Sequence, residues 1–173
     1  FIWLKRQMSP ADAEAVLAVG LPGVYSRSEY QRFYPEGEVT AHVLGFTNID
    51  DHGQEGLELT YDKWLEGSRG EKKVIKDRRG QTIKNLREVK PAEAGNNLQL
   101  SIDVRLQYLA YRELKAEMQR VDAKSGSIVM IDSHTGEVLA MVNQPSFNPN
   151  NRNGSDASQR RNRAVTDLFE PGS

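Results

Sequence analysis

Cysteine is absent from the 173 residues. That excludes disulfides, thiol catalysis and thiolate metal sites, and it leaves the compartment open, because periplasmic proteins can also do without cysteine. Histidine is scarce. His42, His52 and His134 sit in unrelated surroundings without H-E-x-x-H spacing, so no metal site is expected. No apolar run approaches the length that spans a bilayer, and no signal-peptide pattern is present. The chain opens inside an element, at Phe1-Ile2-Trp3-Leu4, which leaves room for an upstream membrane anchor. An excess of one charge is missing too: 23 basic residues face 24 acidic ones, for a net charge of -1. No global basic field for nucleic acid exists. The basic stretches Lys72 to Lys76 and Arg78-Arg79 have acids nearby and read as a solvated face.

What is present is soluble and globular in character, with 38% hydrophobic and 27% charged residues. The length suits one domain, or a small domain and part of another. Ser9-Pro10-Ala11-Asp12 starts a helix that runs to about Val19, with Ser9 as cap and Pro10 in the first turn. Val24 to Tyr34 is extended and is broken by Pro35-Glu36-Gly37. A short helix over Glu38 to Gly45 is expected to turn Val39, Val43 and Leu44 inward, followed by a strand from Phe46 to Ile49 and a turn at Asp50 to Gly53. Leu57, Tyr61, Trp64 and Leu65 fall at helical spacing. Lys72 to Lys76 and Thr82 to Val89 form a hairpin about Asp77-Arg78-Arg79-Gly80. The polar stretch Lys90 to Asn97 marks a boundary, dividing the chain into 1–97 and 98–173.

Beyond that boundary a short strand is expected from Leu98 to Ile102. Asp103 then caps a helix whose stripe is Leu106, Leu109, Ala110, Leu114, Met118 and Val121. Ser127 to Ile131 and Val138 to Val142 are apolar on both faces, the pattern of strands covered on each side. The Pro- and Asn-rich stretch from Gln144 is a loop. Ser155 to Ser158 is polar and is expected to be mobile, and Gln159 to Phe169 is compatible with a helix that Glu170-Pro171-Gly172 stops.

Catalytic machinery is thin by this reading. No Ser/His/Asp arrangement can be argued. Asp50 and Asp51 beside Gly53 fit a turn better than acid–base work, and Lys76 to Gly80 fits a hairpin turn better than a phosphate site. Ser173, after Pro171-Gly172, is the candidate nucleophile. If a helix follows, its positive N-terminal end favours developing negative charge there. An S-x-x-K lysine one turn later would supply the base; the chain ends before it. Taken alone, a terminal structural serine explains Ser173 as well.

Several segments together resemble the class B penicillin-binding proteins. Arg32-Phe33-Tyr34-Pro35-Glu36-Gly37, Ala41 to Phe46, and Gly53 to Glu58 with Tyr61-Asp62 are similar to boxes of that family's non-catalytic domain. Leu100 to Asp103 with Leu106-Gln107 looks like the opening of its transpeptidase domain. Ser125 to Ser127, Thr135 to Met141 and Pro145 to Asn150 resemble its first hairpin and exit loop. Arg161-Asn162-Arg163-Ala164 and Phe169 to Ser173 resemble its approach to the nucleophile. The Asn-rich loop and the Arg-Asn-Arg segment look most like the division-specific type.

The resemblance implies an α+β chain: a β-rich non-catalytic pedestal followed by the incomplete start of a transpeptidase α/β sandwich. It implies part of a peptidoglycan D,D-transpeptidase with Ser173 as nucleophile, acting on stem peptides at the septum and trapped by β-lactams. No cofactor or metal is implied. Implied partners are divisome membrane proteins, including the septal glycosyltransferase, and no nucleic acid. The implied location is the periplasmic side of an inner membrane, held by an N-terminal anchor outside this sequence. Because the lysine, the S-x-N and the K-T-G elements lie beyond Ser173, the 173-residue chain is expected to be inactive. Two other readings stay open: a non-enzymatic docking module for division proteins, and a relative serving the lateral wall. Arg32, Tyr34, Pro35, Gly37 and His42 are expected to be architectural, with His42 hydrogen-bonded in a core.

Overall fold

The computed structural model describes residues 1–76 and 82–168, without the side chains at 76, 82 and 84–88. The turn expected at Asp77 to Gly80 lies outside the described residues. The fold is α+β, with three two-stranded antiparallel sheets among the described residues.

Helix α1 (Pro10–Ala18) begins where the cap chemistry places it: the Ser9 side chain accepts from the Asp12 N–H at 3.1 Å. It buries none of its residues. The Pro35 break is followed by a 3₁₀ turn, Gly37–Val39, and then α2 (Ala41–Leu44). This corrects the single helix expected over 38 to 45. Thr40, at φ -111° and ψ 2°, interrupts it and rotates the buried face onto Ala41 and His42, leaving Val39, Val43 and Leu44 half-buried. Gly37 takes φ +50°, so the expected relief of the turn is real.

Strand β1 is only Phe46–Thr47 and pairs with β2 (Gly53–Glu55) across the expected turn, with Asp51 at φ +65°. The helix expected from Leu57 onward is two short pieces, α3 (Gly56–Thr60) and α4 (Asp62–Leu65). Tyr61 and Trp64 are exposed, and the buried member is Glu58, which the apolar pattern could not indicate. Gly45 and Gly56 face each other, both at positive φ; a Cβ on Gly45 would lie 1.8 Å from the Glu55 carbonyl oxygen. That contact is why the α2–β1 corner can seat against the β2–α3 corner. Strands β3 (Glu71–Lys76) and β4 (Thr82–Lys90) form the expected hairpin.

The second half is built on α5 (Val104–Val121), β5 (Gly126–Ile131) and β6 (Val138–Gln144). Asp103 caps α5 by accepting from the Arg105 and Leu106 N–H groups at 2.9 and 3.4 Å. These bonds, with the Arg105 side chain first among the causes, hold its carboxyl down to about 2. Residues 98–102 are not a strand: Ser101 Oγ and Asp103 N each reach one β6 carbonyl, of Val138 and Leu139, too few bonds for a ladder. Ala110, Ala140 and Val142 form a core with Leu106, Tyr111, Leu114, Ile128 and Met130. Leu109 and Val121, expected on that face, are exposed. Strand β5 alternates instead of being covered along both sides: α5 packs over Ile128 and Met130, while among the described residues α7 meets the opposite face at the Ser127–Asn143 pair, and Val129 and Ile131 stay exposed.

The first half is seated on the second. Tyr34, Ala41 and Phe46 share a core with Phe147 from the loop after β6. The Phe46 and Phe147 rings meet edge-to-face at 5.9 Å, and the Arg152 guanidinium lies 4.4 Å above Phe46. The chain then forms α6 (Ala157–Arg160) and α7 (Arg163–Thr166) in place of the one helix expected from Gln159. Asp156 starts α6 with a capping box to Gln159, so the polar 155–158 stretch is a helix start. Asn162, between the two, has φ -77° and ψ 84°, which is outside the helical region.

Candidate functional site

Ser173 and the preceding Phe169 to Gly172 lie outside the described residues. What the structure supplies is the frame that leads toward them: the end of β6, the loop to Arg152, and helices α6 and α7.

The frame is held by side-chain amides. Asn143, 1% exposed, lies opposite Ser127 on the hairpin. Its Oδ1 accepts from Ser127 Oγ at 2.7 Å and from the Ala164 N–H at 2.8 Å, and its Nδ2 donates to Asn162 Oδ1 at 2.9 Å. Asn162 Nδ2 in turn donates to the His42 carbonyl at 3.2 Å. Asn162 is flanked by two arginines with a different task. Arg161 and Arg163 both pair with Asp167, at 2.7 and 3.2 Å, across α7. The Arg-Asn-Arg segment therefore divides its work, with the arginines bracing α7 and the asparagine turned to the core. The Gln144–Pro145 peptide bond is cis, and Gln144 Oε1 accepts from the Ser146 N–H at 3.1 Å.

His42 lies at the junction of the two halves. Its Nε2 is 2.8 Å from the Gln159 carbonyl, and since a carbonyl only accepts, Nε2 carries the proton. Its ring sits edge-on to Phe147 at 5.4 Å. Burial pushes the imidazole below its ordinary value; the Gln159 carbonyl opposes this and Arg163 adds to it. The group is a neutral, satisfied core histidine, as its neighbours in sequence suggested. The other expected architectural residues are placed as follows. Arg32 forms a two-pronged pair with Glu58, Nε to Oε1 at 2.8 Å and Nη2 to Oε2 at 3.2 Å. The Tyr34 hydroxyl accepts from the Thr47 N–H at 3.1 Å, and burial pushes that phenol up to about 12.

Gln107 was not anticipated as a structural centre. Fully buried on α5, it donates to the carbonyls of Val39 at 2.7 Å and Met141 at 2.8 Å and accepts from the Met141 N–H at 2.8 Å. The one available signal was a glutamine beside Leu106 on the inward face of an otherwise apolar helix stripe. Near it, Tyr111 donates to the Glu38 carboxylate, with Lys115 alongside. The Tyr111 hydroxyl is the main reason Glu38 titrates low, and Lys115 adds to it.

Elsewhere, Asp50 binds Arg6 at 2.6 Å, which pulls its carboxyl down, and Asp51 occupies the turn. Neither is placed for acid–base work. His52, Asp62 and Glu66 bring one potential metal-ligand atom each to within 4.8 Å of one another. Asp62 already accepts from the Gly53 N–H at 2.7 Å and lies 3.8 Å from His52, which accounts for the grouping. Among the described residues, no helix is long and apolar enough to cross a membrane.

Residues 2–100 match the penicillin-binding protein dimerisation domain, and residues 126–173 match the penicillin-binding protein transpeptidase domain. The chain is 51% identical over its whole length to the peptidoglycan D,D-transpeptidase FtsI of Escherichia coli, of which it spans 29%. It is 44% identical, again over its whole length, to the probable peptidoglycan D,D-transpeptidase PbpC of Pseudomonas aeruginosa, of which it spans 31%. Among solved structures it resembles penicillin binding protein 3 of Mycobacterium tuberculosis complexed with aztreonam. The TM-score is 0.69 at 30% identity, covering 87% of this chain and 31% of that one.

Proposed function

The chain belongs to the class B penicillin-binding proteins, and from that premise we propose that it is part of a peptidoglycan D,D-transpeptidase acting at the division septum. The observation that carries this is the unbroken whole-chain likeness to FtsI, with both domain matches in order. Residues 1–97 are proposed as the pedestal and 98–173 as the start of the transpeptidase domain. In the parent protein Ser173 Oγ attacks the D-Ala-D-Ala carbonyl of a stem peptide. The Oγ–C bond forms, the C–N bond breaks, and D-alanine leaves with a proton. An amine of a neighbouring stem then displaces the serine. A β-lactam is attacked in the same way but keeps its leaving group tethered. No metal or cofactor enters this scheme.

The proposed setting is the periplasmic face of the inner membrane, among division proteins that include the septal glycosyltransferase. A docking role for the pedestal, in addition to or instead of catalysis, is favoured by one observation. Phe1, Ile2, Leu4, Tyr25, Tyr30 and Phe33 are all exposed along the first 33 residues. A pull-down with the septal glycosyltransferase and with its lateral-wall counterpart separates the septal from the elongation reading.

The test is labelling by a fluorescent penicillin, followed by intact mass. The parent protein is expected to gain one adduct, and Ser173→Ala to lose it. The 173-residue chain is expected to gain none, since an unactivated serine hydroxyl needs a base and a second oxyanion donor that the family draws from downstream. An adduct that survives Ser173→Ala in the parent overturns the assignment of the nucleophile.

A further inference from the structure

Asn143 acts on the start of α7 as a cap supplied from another element. The local cap residue, Asn162, makes no side-chain bond to the α7 backbone. Instead Asn143 Oδ1, at the end of β6, takes the N–H of Ala164, one of the first-turn donors that a helix leaves without an internal partner. Asn143 Oδ1 also accepts from Ser127 on β5, and Nδ2 donates to Asn162, which continues to the His42 carbonyl in α2. One buried side chain thus keys three elements together: the β5–β6 hairpin, α2 in the first half, and α7.

We propose that Asn143 is a positioning residue for acyl transfer, fixing α7, the helix that precedes Ser173 in the chain, against the β5–β6 hairpin. The proposal rests on the assignment of Ser173 made above. An apolar side chain would fill the same space without the desolvation cost of an amide, but it would not set the direction or register of α7. Hydrogen bonds do both, because they are directional. The consequence falls on the chemical step. A nucleophile must meet its base and the substrate carbonyl within a few tenths of an ångström, and a displacement of about 1 Å imposed from a distance costs on the order of a hundredfold in rate.

The experiment uses the parent protein and a fluorescent penicillin, with non-covalent binding and the acylation rate constant resolved by stopped flow. Asn143→Leu is close in volume and removes both the acceptor and the donors. Its dissociation constant is expected to stay within about twofold, and its acylation constant to fall about tenfold to a hundredfold. The final stoichiometry per folded molecule is expected to be unchanged. Asn143→Asp keeps the acceptor for the Ala164 N–H and is expected to recover most of the lost rate. A purely structural role gives the opposite pattern, with fewer labelled molecules, each acylating at the normal rate, and that result overturns the proposal. Equal rate losses in the Leu and Asp variants overturn it too. If Asn143→Leu does not fold, Asn162→Ala decides. It removes the Asn143–Asn162–His42 bridge while keeping the Asn143 bonds to Ser127 and Ala164, and is expected to slow acylation about threefold to tenfold; an unchanged rate constant overturns the proposal. Labelling of Ser173→Ala at the normal rate would instead remove the assignment of the nucleophile, in a protein whose Asn143 network is intact.

Discussion

The side-chain amide of Asn150 pairs with both backbone groups of Tyr34, 116 residues away: the Tyr34 N–H donates to Oδ1 at 2.9 Å, and Nδ2 donates to the Tyr34 carbonyl at 2.8 Å. Tyr34 is thereby satisfied as though it had a strand partner. The extended arm that precedes Pro35 is pinned to the loop that follows β6.

Replacing Asn150 by Ala leaves the backbone N–H and C=O of Tyr34 without those partners in a part-buried place. The expected cost is about 1–3 kcal/mol, read as a lower denaturation midpoint with an unchanged slope. A midpoint equal to that of the parent chain would show that water replaces the amide without loss.

Gln107 offers a sharper case. Gln107→Leu preserves volume but strands the Met141 N–H and two carbonyls in the interior. We expect a loss of about 2–4 kcal/mol, as for a buried network broken on one side. Gln107→Glu keeps the acceptor and loses the donors, so it should not restore stability. Urea titration of both variants tests the pair.

The two faces of β5 should respond differently to the same change. Ile128 packs on the Ala110, Ala140 and Val142 core, whereas Val129 is exposed. Ile128→Ala is expected to cost about 2 kcal/mol, and Val129→Ala less than about 1 kcal/mol. Val129→Lys and Ile131→Lys should be tolerated, because both side chains are exposed. Equal losses at 128 and 129 would refute the alternation.

His42 makes stability depend on pH. Burial lowers its folded-state value below the ordinary 6.5, so below pH 6.5 the unfolded chain binds a proton that the folded chain does not. The His42 contribution is therefore fully present above pH 6.5. It is lost progressively as the pH falls from there to the folded-state value. Nitrogen-resolved NMR should show the Nε2–H tautomer with a midpoint below 6.5, and His42→Gln should flatten the thermal-stability profile below pH 6.5. A midpoint above 6.5 would contradict the burial.

Local chemistry decided much of this protein. The Ser9 and Asp103 caps, the amphipathic α5, the β3–β4 and β5–β6 hairpins and the turn at Asp50 to Gly53 follow from residue type and spacing, because their partners lie within a few positions or on the next strand. The likeness of the ordered segments to penicillin-binding proteins was legible for the same reason, as a pattern along the chain. Apart from His42, tertiary structure alone decided which polar groups are interior. Gln107, Asn143, Asn150 and Asn162 look like solvated residues in the sequence, and each is held by backbone or amide groups 19 to 120 positions away. Hydrophobic periodicity carries no record of such partners. A side-chain amide is cheap to bury only when distant donors and acceptors converge on it. Tertiary structure also split the helices expected near 38–45, 57–67 and 159–169. At 38–45 and 159–169 the seating of Phe147 against Ala41 and Phe46, and of Asn162 against Asn143, fixed the backbone more strongly than propensity over a few residues could.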